Sequence, residues 1–445
     1  MAKNQIAVTI FTQLLVISIT TLLLYWLIKL RGGFAFTSDD KMKIFNLHPL
    51  LMVVGFIVFS GEAMITYKAI PAMRPTLKII HLIFHTIALA SGILGVYVVF
   101  KYHNERSIPH MYSLHSWIGL STICLFGLQM LVGIATFLFP GAESTTRERI
   151  APWHVFFGVV IFSMAILSAE TGLTEKFIFQ KLQKGHEALM VNFIGLLVLL
   201  FGIVVGLTAC YNSQISQLLA FVMAGERSSY RMSAFPVTIL GHLLVVSITT
   251  LLLVWLLKLR EGFAFTSEMK IKIFNLHPLL TVLGFVVFSG EAILTYKAIP
   301  AARPSLKIIH LVYHLIALVT GILGIYAVFK FHDEIHISHM NTIHSWIGLS
   351  TICLFGLQFI VGLTTFLFPG AESATRARIA PWHILFGVII FFMATVSVET
   401  GITEKFMFQH LGKVPEALVI NFIGLLILLF GVTVGLSVVF PLRRK

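Results

Sequence analysis

Four histidines stand inside apolar stretches: His48 in NLHPLLM, His81 in IIHLIFH, His115 in SLHSWIGL and His154 in PWHVFFG. All four return 229 residues later as His277, His310, His344 and His383, the offset being that from His48 to His277. An imidazole inside a long apolar run is costly to bury and usually functional. Let A be the side of the N-terminus and B the opposite side. His48 and His115 then open the second and fourth apolar runs at B, and His81 and His154 open the third and fifth at A. Two imidazoles at one depth on two helices can hold one iron from opposite faces. A porphyrin between helices would bury its apolar ring and leave its propionates at the wet edge. Ligation of both axial positions favours electron transfer over oxygen chemistry. Zinc is disfavoured, because each depth offers two histidines but no thiolate and no obvious carboxylate partner. His85 and His314 lie one turn past His81 and His310 on the same face, where they fit neighbours that orient the site better than ligands.

The elements that must position these residues are membrane helices. The chain has 445 residues, of which 57% are hydrophobic and 11% charged, with a mean hydropathy of +0.93. Soluble domains carry about 25% charged residues, so a polytopic membrane protein is expected. The net charge of +13 does not indicate a nucleic-acid partner, because the basic residues are scattered between apolar runs. Three cysteines are too few for a disulfide framework, and Cys124 and Cys353 read as buried structural thiols. MAKNQ leads into an apolar run too long for a signal-peptide core, which reads as a retained span.

The chain is written twice. FAFTSDDKMKIFNLHPLL (34–51) returns as FAFTSEMKIKIFNLHPLL (263–280), STICLFGLQ (121–129) returns at 350–358, and FLFPGAES (137–144) at 366–373, with no insertion or deletion. The expected organisation is a unit over 1–210, a linker over 211–235 and a second unit over 236–445. The linker segment ISQLLAFVMA is too short to span. The first unit has spans at about 6–29, 47–67, 79–100, 111–139, 152–173 and 188–209, each near the roughly 20 residues that cross a bilayer core. Their apolar runs are continuous rather than alternating, which excludes a β-barrel. The fold class is therefore all-α, with twelve spans in two six-helix units. Six is even, so the two units run parallel.

The four histidine motifs, in this order and spacing, resemble the cytochrome b561 family of ascorbate-dependent transmembrane electron carriers, most closely its plant vacuolar-type members. The resemblance covers each unit almost end to end. It implies six helices whose middle four hold two b-type haems, hence four haems per chain. It also implies that His81 and His154 (His310 and His383) hold the haem at A, on the cytosolic side. His48 and His115 (His277 and His344) would hold the haem at B. A pair a few ångströms inside each face would put the irons about 20 Å apart.

Lys68, Arg74, Lys78, Arg147 and Arg149 map to side A, with copies Lys297, Arg303, Lys307, Arg376 and Arg378. A basic rim suits anionic ascorbate and haem propionates. By the resemblance, Lys78 and Arg147 (Lys307 and Arg376) contact ascorbate, while Lys68 and Arg74 (Lys297 and Arg303) lie by the haem. At B, the family's acceptor site matches His103 and the SLHSW start of the fourth span, with Glu175 and Glu404 near the haem. The second copy keeps His332 but has Asn341 for Tyr112, so its acceptor site is expected to differ in substrate or rate. Lysine and arginine number 16 on each side, so the positive-inside rule is silent. Placing A and both termini in the cytosol rests on the resemblance alone, as does a vacuolar or other endomembrane location.

The expected partners are ascorbate, monodehydroascorbate or a ferric chelate, and membrane lipid. Gly202 and Gly206, with Gly431 and Gly435, offer close-packing faces for a homodimer or for pairing of the two units. A competing reading is a secondary transporter, since two parallel six-helix halves and membrane histidines also suit a proton relay. Two adjacent genes read as one would also produce a doubled chain, and a half-length protein on a gel would reveal that.

Overall fold

A computed structural model describes residues 2–139, 141–182, 185–211, 235–409, 411 and 415–439. The described residues hold twelve helices long and apolar enough to cross a membrane, so the chain is an integral, multi-pass membrane protein. In the first unit α1 (Ala2–Tyr25) continues through a π turn, Trp26–Leu30. It is followed by α2 (Lys41–Ala69), α3 (Arg74–Glu105), α4 (Leu114–Phe137), α5 (Ser144–Phe179) and α6 (His186–Tyr211). In the second, α7 (Phe235–Val254) continues through Trp255–Leu259. It is followed by α8 (Lys270–Ala298), α9 (Arg303–Glu334), α10 (Ile343–Phe366), α11 (Ser373–Phe408) and α12 (Pro415–Val439). The helices fall into two compact units, α1–α6 and α7–α12. The ISQLLAFVMA segment and most of the expected linker lie outside the described residues.

Within each unit the middle four helices close a ring. In the first, α2 packs on α3, α3 on α4, α4 on α5 and α5 back on α2. The remaining two brace it from outside, α6 lying on α1, α2 and α5. Trp26 Nε1 and Arg31 both donate to Glu187 Oε1, which pins α1 to α6 at side B; Trp255 and Arg260 repeat the contact on Glu416. The α1–α2 connection turns at Gly32 and Gly33, with φ of +72° and +91°. Asn46 holds that turn by donating to the Arg31 and Gly33 carbonyls at 3.0 and 2.8 Å.

Local chemistry places the histidines. Asp40 caps α2 by accepting from the Met42 N–H. Proline at 49, next to His48, has no N–H to give the helix, and Leu51–Val58 winds as a π segment before α-helix resumes at Phe59. Ser113 caps α4 and sets His115 in its first turn, and Thr342 with Ser345 forms a capping box for α10.

Three expectations need correction. First, α5 starts at Ser144 rather than near 152, so Arg147 and Arg149 ride on helix and Pro152 lies inside it. Its 36 residues rise about 54 Å, well beyond the hydrocarbon core. Second, Cys124 and Cys353 are exposed on the outer surface of the bundle, not buried. Third, a Cβ at Gly202 would meet Ile166 Cγ1 at 2.7 Å, so this glycine packs α6 against α5 inside its own unit.

Candidate functional site

The ring of four helices is braced through its histidines. His48 on α2 places Nδ1 3.0 Å from the Gly95 carbonyl of α3, and His81 on α3 places Nδ1 2.8 Å from the Ala63 carbonyl of α2. The exchange is reciprocal, one contact at each end of the pair. The α4–α5 pair does the same: His115 Nδ1 lies 2.8 Å from the Ser168 carbonyl. At the other end the Gln129 amide nitrogen of α4 donates to the His154 main-chain oxygen at 2.7 Å and sits 3.1 Å from Nδ1. The second unit repeats all four: His277 on Gly324, His310 on Ala292, His344 on Ser397 and Gln358 on His383. Each helix thus carries a ligand candidate for one end and the support of its neighbour's histidine for the other. The two lie 14 residues apart on α3, α4 and α5 and 15 on α2 (His81 to Gly95, His115 to Gln129, His154 to Ser168, His48 to Ala63). That is about 21 Å of helix.

Only an N–H can bond a carbonyl, so six of the eight rings carry their proton on Nδ1 and leave the Nε2 lone pair for a metal. His154 and His383 face an amide instead, which can present either NH2 or, turned over, its oxygen. At side B the His48 and His115 ring centroids are 6.1 Å apart and nearly perpendicular at 87°, and His277 and His344 are 5.9 Å apart at 83°. At side A His310 and His383 are 6.4 Å apart, and His81 and His154 are close enough to interact electrostatically. Two imidazoles sharing one metal through bonds of about 2 Å would have centroids about 6.4 Å apart.

Glycines make room for these rings. A Cβ at Gly133 on α4 would lie 2.9 Å from His154 Cε1, and one at Gly172 on α5 would lie 2.7 Å from His115 Cε1. Gly362 and Gly401 do the same for His383 and His344, at 2.9 and 2.7 Å. His85 turns its edge to His81, centroids 4.3 Å apart, and packs on Phe126 at 5.2 Å. Its buried Nδ1 has no hydrogen-bond partner among the described residues, so it lacks the anchoring the paired histidines have. Phe126 in turn packs on Phe56, at 4.9 Å, which lies midway along α2 between His48 and Ala63.

The donor set fits haem. Among the described residues no group of three or more His, Cys, Asp or Glu side chains could hold a metal. Paired imidazoles therefore suit a metal that brings its other ligands with it. At B, Lys176 is 5% exposed, and its Nζ has no hydrogen-bond partner among the described residues. It sits 3.9 Å over the Phe45 ring, and Lys405 sits 4.0 Å over Phe274. A buried lysine whose Nζ makes no hydrogen bond, beside a His pair, is a counterpart an anionic propionate edge could use.

At the side A rim, Lys78 Nζ donates to the Phe137 carbonyl at the end of α4 (3.0 Å), and Lys307 to Phe366 (3.2 Å). Lys68 is half-buried and Arg74 exposed, and Tyr67 places its ring 5.6 Å from His81. Arg147 stands half-buried on the first turn of α5, and Arg376 Nη1 donates to the Ala371 carbonyl (2.8 Å). In the second unit Lys297 is half-buried and Arg303 exposed.

At the side B rim, His103 stacks on His110 with centroids 5.4 Å apart, and His332 lies 5.5 Å from His339. The Tyr112 phenol is pushed up to about 12 by burial, with Glu175 and Tyr102 adding to the shift, so it stays protonated at any physiological pH. The sequence reading missed Gln129 and Gln358, although a lone amide in an apolar span was a visible signal. It also missed Lys176 and the ring-cradling glycines. Glu170 and Glu399, 0% exposed and with neither oxygen hydrogen-bonded among the described residues, went unread as well.

Comparison with known proteins identifies the family. A profile of eukaryotic cytochrome b561 matches residues 47–180 and again 276–409. The chain is 42% identical over 214 residues to a probable ascorbate-specific transmembrane electron transporter of Oryza sativa subsp. japonica, covering 47% of this chain and 92% of that protein. It is 44% identical over 214 residues to a transmembrane ascorbate ferrireductase of Arabidopsis thaliana, covering 47% and 90%. It is 40% identical over 192 residues to a lysosomal membrane ascorbate-dependent ferrireductase of Mus musculus, covering 41% and 78%. Each relative matches about half of the chain, and the family profile matches both halves; the chain belongs to the eukaryotic cytochrome b561 family.

Proposed function

We propose that the chain is an ascorbate-dependent transmembrane oxidoreductase in which each unit, 1–210 and 236–445, carries electrons from ascorbate at side A to monodehydroascorbate or a ferric chelate at side B. The family binds haem b, whose iron supplies a one-electron carrier. On this reading each unit holds two haems, four in the chain. His81 and His154, with His310 and His383, hold those at A. His48 and His115, with His277 and His344, hold those at B. Lys78 and Arg147 (Lys307 and Arg376) bind the ascorbate anion through charge-assisted hydrogen bonds. Lys68 and Arg74 (Lys297 and Arg303) neutralise the propionate edge. His103 and His332 receive the acceptor. Side A and both termini face the cytosol, and the membrane is vacuolar or another endomembrane.

The observation that carries this reading is the reciprocal bracing of paired imidazoles at the two ends of one bundle. A secondary transporter using these histidines as a proton relay would need rings free to exchange partners. Three of the four in each unit are tied to main-chain carbonyls instead. The test is to purify the full chain, add ascorbate and record its spectrum. Reduced b-type haem at about four per chain is expected. A colourless protein would overturn the redox reading.

A further inference from the structure

The two units keep their histidine cages and part company at the side B rim, where the acceptor arrives. Between the ends of α3 and α4 the first unit reads KYHNERSIPHMYS (101–113) and the second KFHDEIHISHMNT (330–342). With histidine neutral, the first segment carries +1 (Lys101 and Arg106 against Glu105) and the second −1 (Lys330 against Asp333 and Glu334). Much of that charge is common and cancels. Glu105 is bridged by Lys41 at 2.9 Å and Lys101 at 3.9 Å, and Glu334 by Lys270 at 2.8 Å and Lys330 at 3.8 Å.

The groups left over are those that changed. His110 Nε2 meets the neutral Asn104 Oδ1 at 2.8 Å, whereas His339 Nε2 meets the carboxylate of Asp333 at the same 2.8 Å. The Asp333 side chain is 73% exposed, so its charge projects toward an approaching solute. On the first unit's other flank, exposed Arg106 hydrogen-bonds the Tyr102 phenol. The second unit has lost both partners together, to Phe331 and Ile335. These changes surround the neighbouring pairs His103–His110 and His332–His339, and His103 in turn interacts electrostatically with His115.

We propose that the two side B ports select acceptors by charge: the first favours anionic acceptors such as ferric polycarboxylates or monodehydroascorbate, and the second favours cationic or uncharged ferric species. Asn104 with Arg106, and Asp333 with Ile335, set the difference. The proposal rests on the acceptor site assigned above. A port's potential acts on encounter rate and local concentration, so it changes which solute arrives first without altering the electron path behind it.

The test uses the full chain and two double variants, Asn104→Asp with Arg106→Ile and Asp333→Asn with Ile335→Arg. The ascorbate-reduced protein is mixed at low salt with ferricyanide, an anion, or hexaammineruthenium(III), a cation. The first variant should slow oxidation by ferricyanide and speed it by hexaammineruthenium. The second should do the reverse, each by up to about ten-fold in the altered port and far less at high salt. Calorimetric binding of the redox-inert hexacyanocobaltate(III) and hexaamminecobalt(III) ions should move in the same opposed directions, independently of turnover. Unchanged haem spectra certify folding. If haem is present and reduced but both variants respond alike, or not at all, to the two charge types, the port assignment is wrong. If the wild-type chain holds no haem or ignores ascorbate, the proposed function is what fails.

Discussion

The two ends of each unit have aged differently. At side A the five cations beside the His81–His154 end are kept in the second copy: Lys68, Arg74, Lys78, Arg147 and Arg149 recur as Lys297, Arg303, Lys307, Arg376 and Arg378. At side B, Asn104, Arg106, Ser107 and Tyr112 have become Asp333, Ile335, His336 and Asn341. On the proposed function, a donor shared by both units would constrain side A, and separate acceptors would release side B. The histidine pairs differ by end as well. Both rings at B are fixed by carbonyls, whereas at A one ring of each pair rests on an amide, Gln129 or Gln358.

Deleting a ligand should show how independent the ends are. His81→Ala should lower haem content by about one per chain and leave the side B spectrum intact, because those ligands sit at the opposite ends of their helices. If His85→Ala loses haem while His81→Ala keeps it, the wrong member of the pair has been chosen. Next in size, replacing His310 and His383 together by Ala should halve transmembrane flux in sealed vesicles if, as proposed, each unit holds a complete path. Total loss in a well-folded variant would mean that the units act in series.

The cations common to side A of both units predict a smaller, charge-specific effect. Changing Lys78, Arg147, Lys307 and Arg376 to Ala should slow reduction by ascorbate about ten-fold at low salt and less at high salt. An uncharged reductant should be little affected, and equal slowing with both donors would indicate a folding or haem defect. Gln129→Leu should shift the spectrum and potential of the side A haem alone; a shift at both ends would show that the amide acts through the bundle as a whole. Smallest is the effect at Tyr112. Its phenol titrates near 12 rather than at the ordinary 10.0, so the folded chain holds that proton after an unfolded chain has lost it. The stabilisation is therefore present below pH 10 and lost as pH rises from 10 toward 12. Alkaline unfolding should be shallower in Tyr112→Phe.

The paired histidines were legible because they are polar residues in apolar runs, depth-matched and repeated. The partners that orient them mostly were not, because the carbonyls of Ala63, Gly95 and Ser168 are main chain and leave no mark on residue type. Helix faces were equally hidden. Lipid is as apolar as the bundle interior, so outward Cys124 and buried Thr122 sit in one run with no periodicity to separate them. The early start of α5 was lost for a related reason: hydropathy marks where a helix enters lipid and says nothing of turns that continue into water.

Reciprocal bracing has a geometric consequence. Sliding α3 by one residue along α2 would displace its contacts at both ends by about 1.5 Å and rotate them by about 100°. His48 and His81 would then lose their acceptors together. The depth of the two sites is consequently one variable, with no small adjustments available. The span between the histidine pairs at A and B is counted in whole residues rather than tuned by packing. The absence of any insertion or deletion between the copies keeps both counts equal, so rims can drift while the distance across the membrane stays the same.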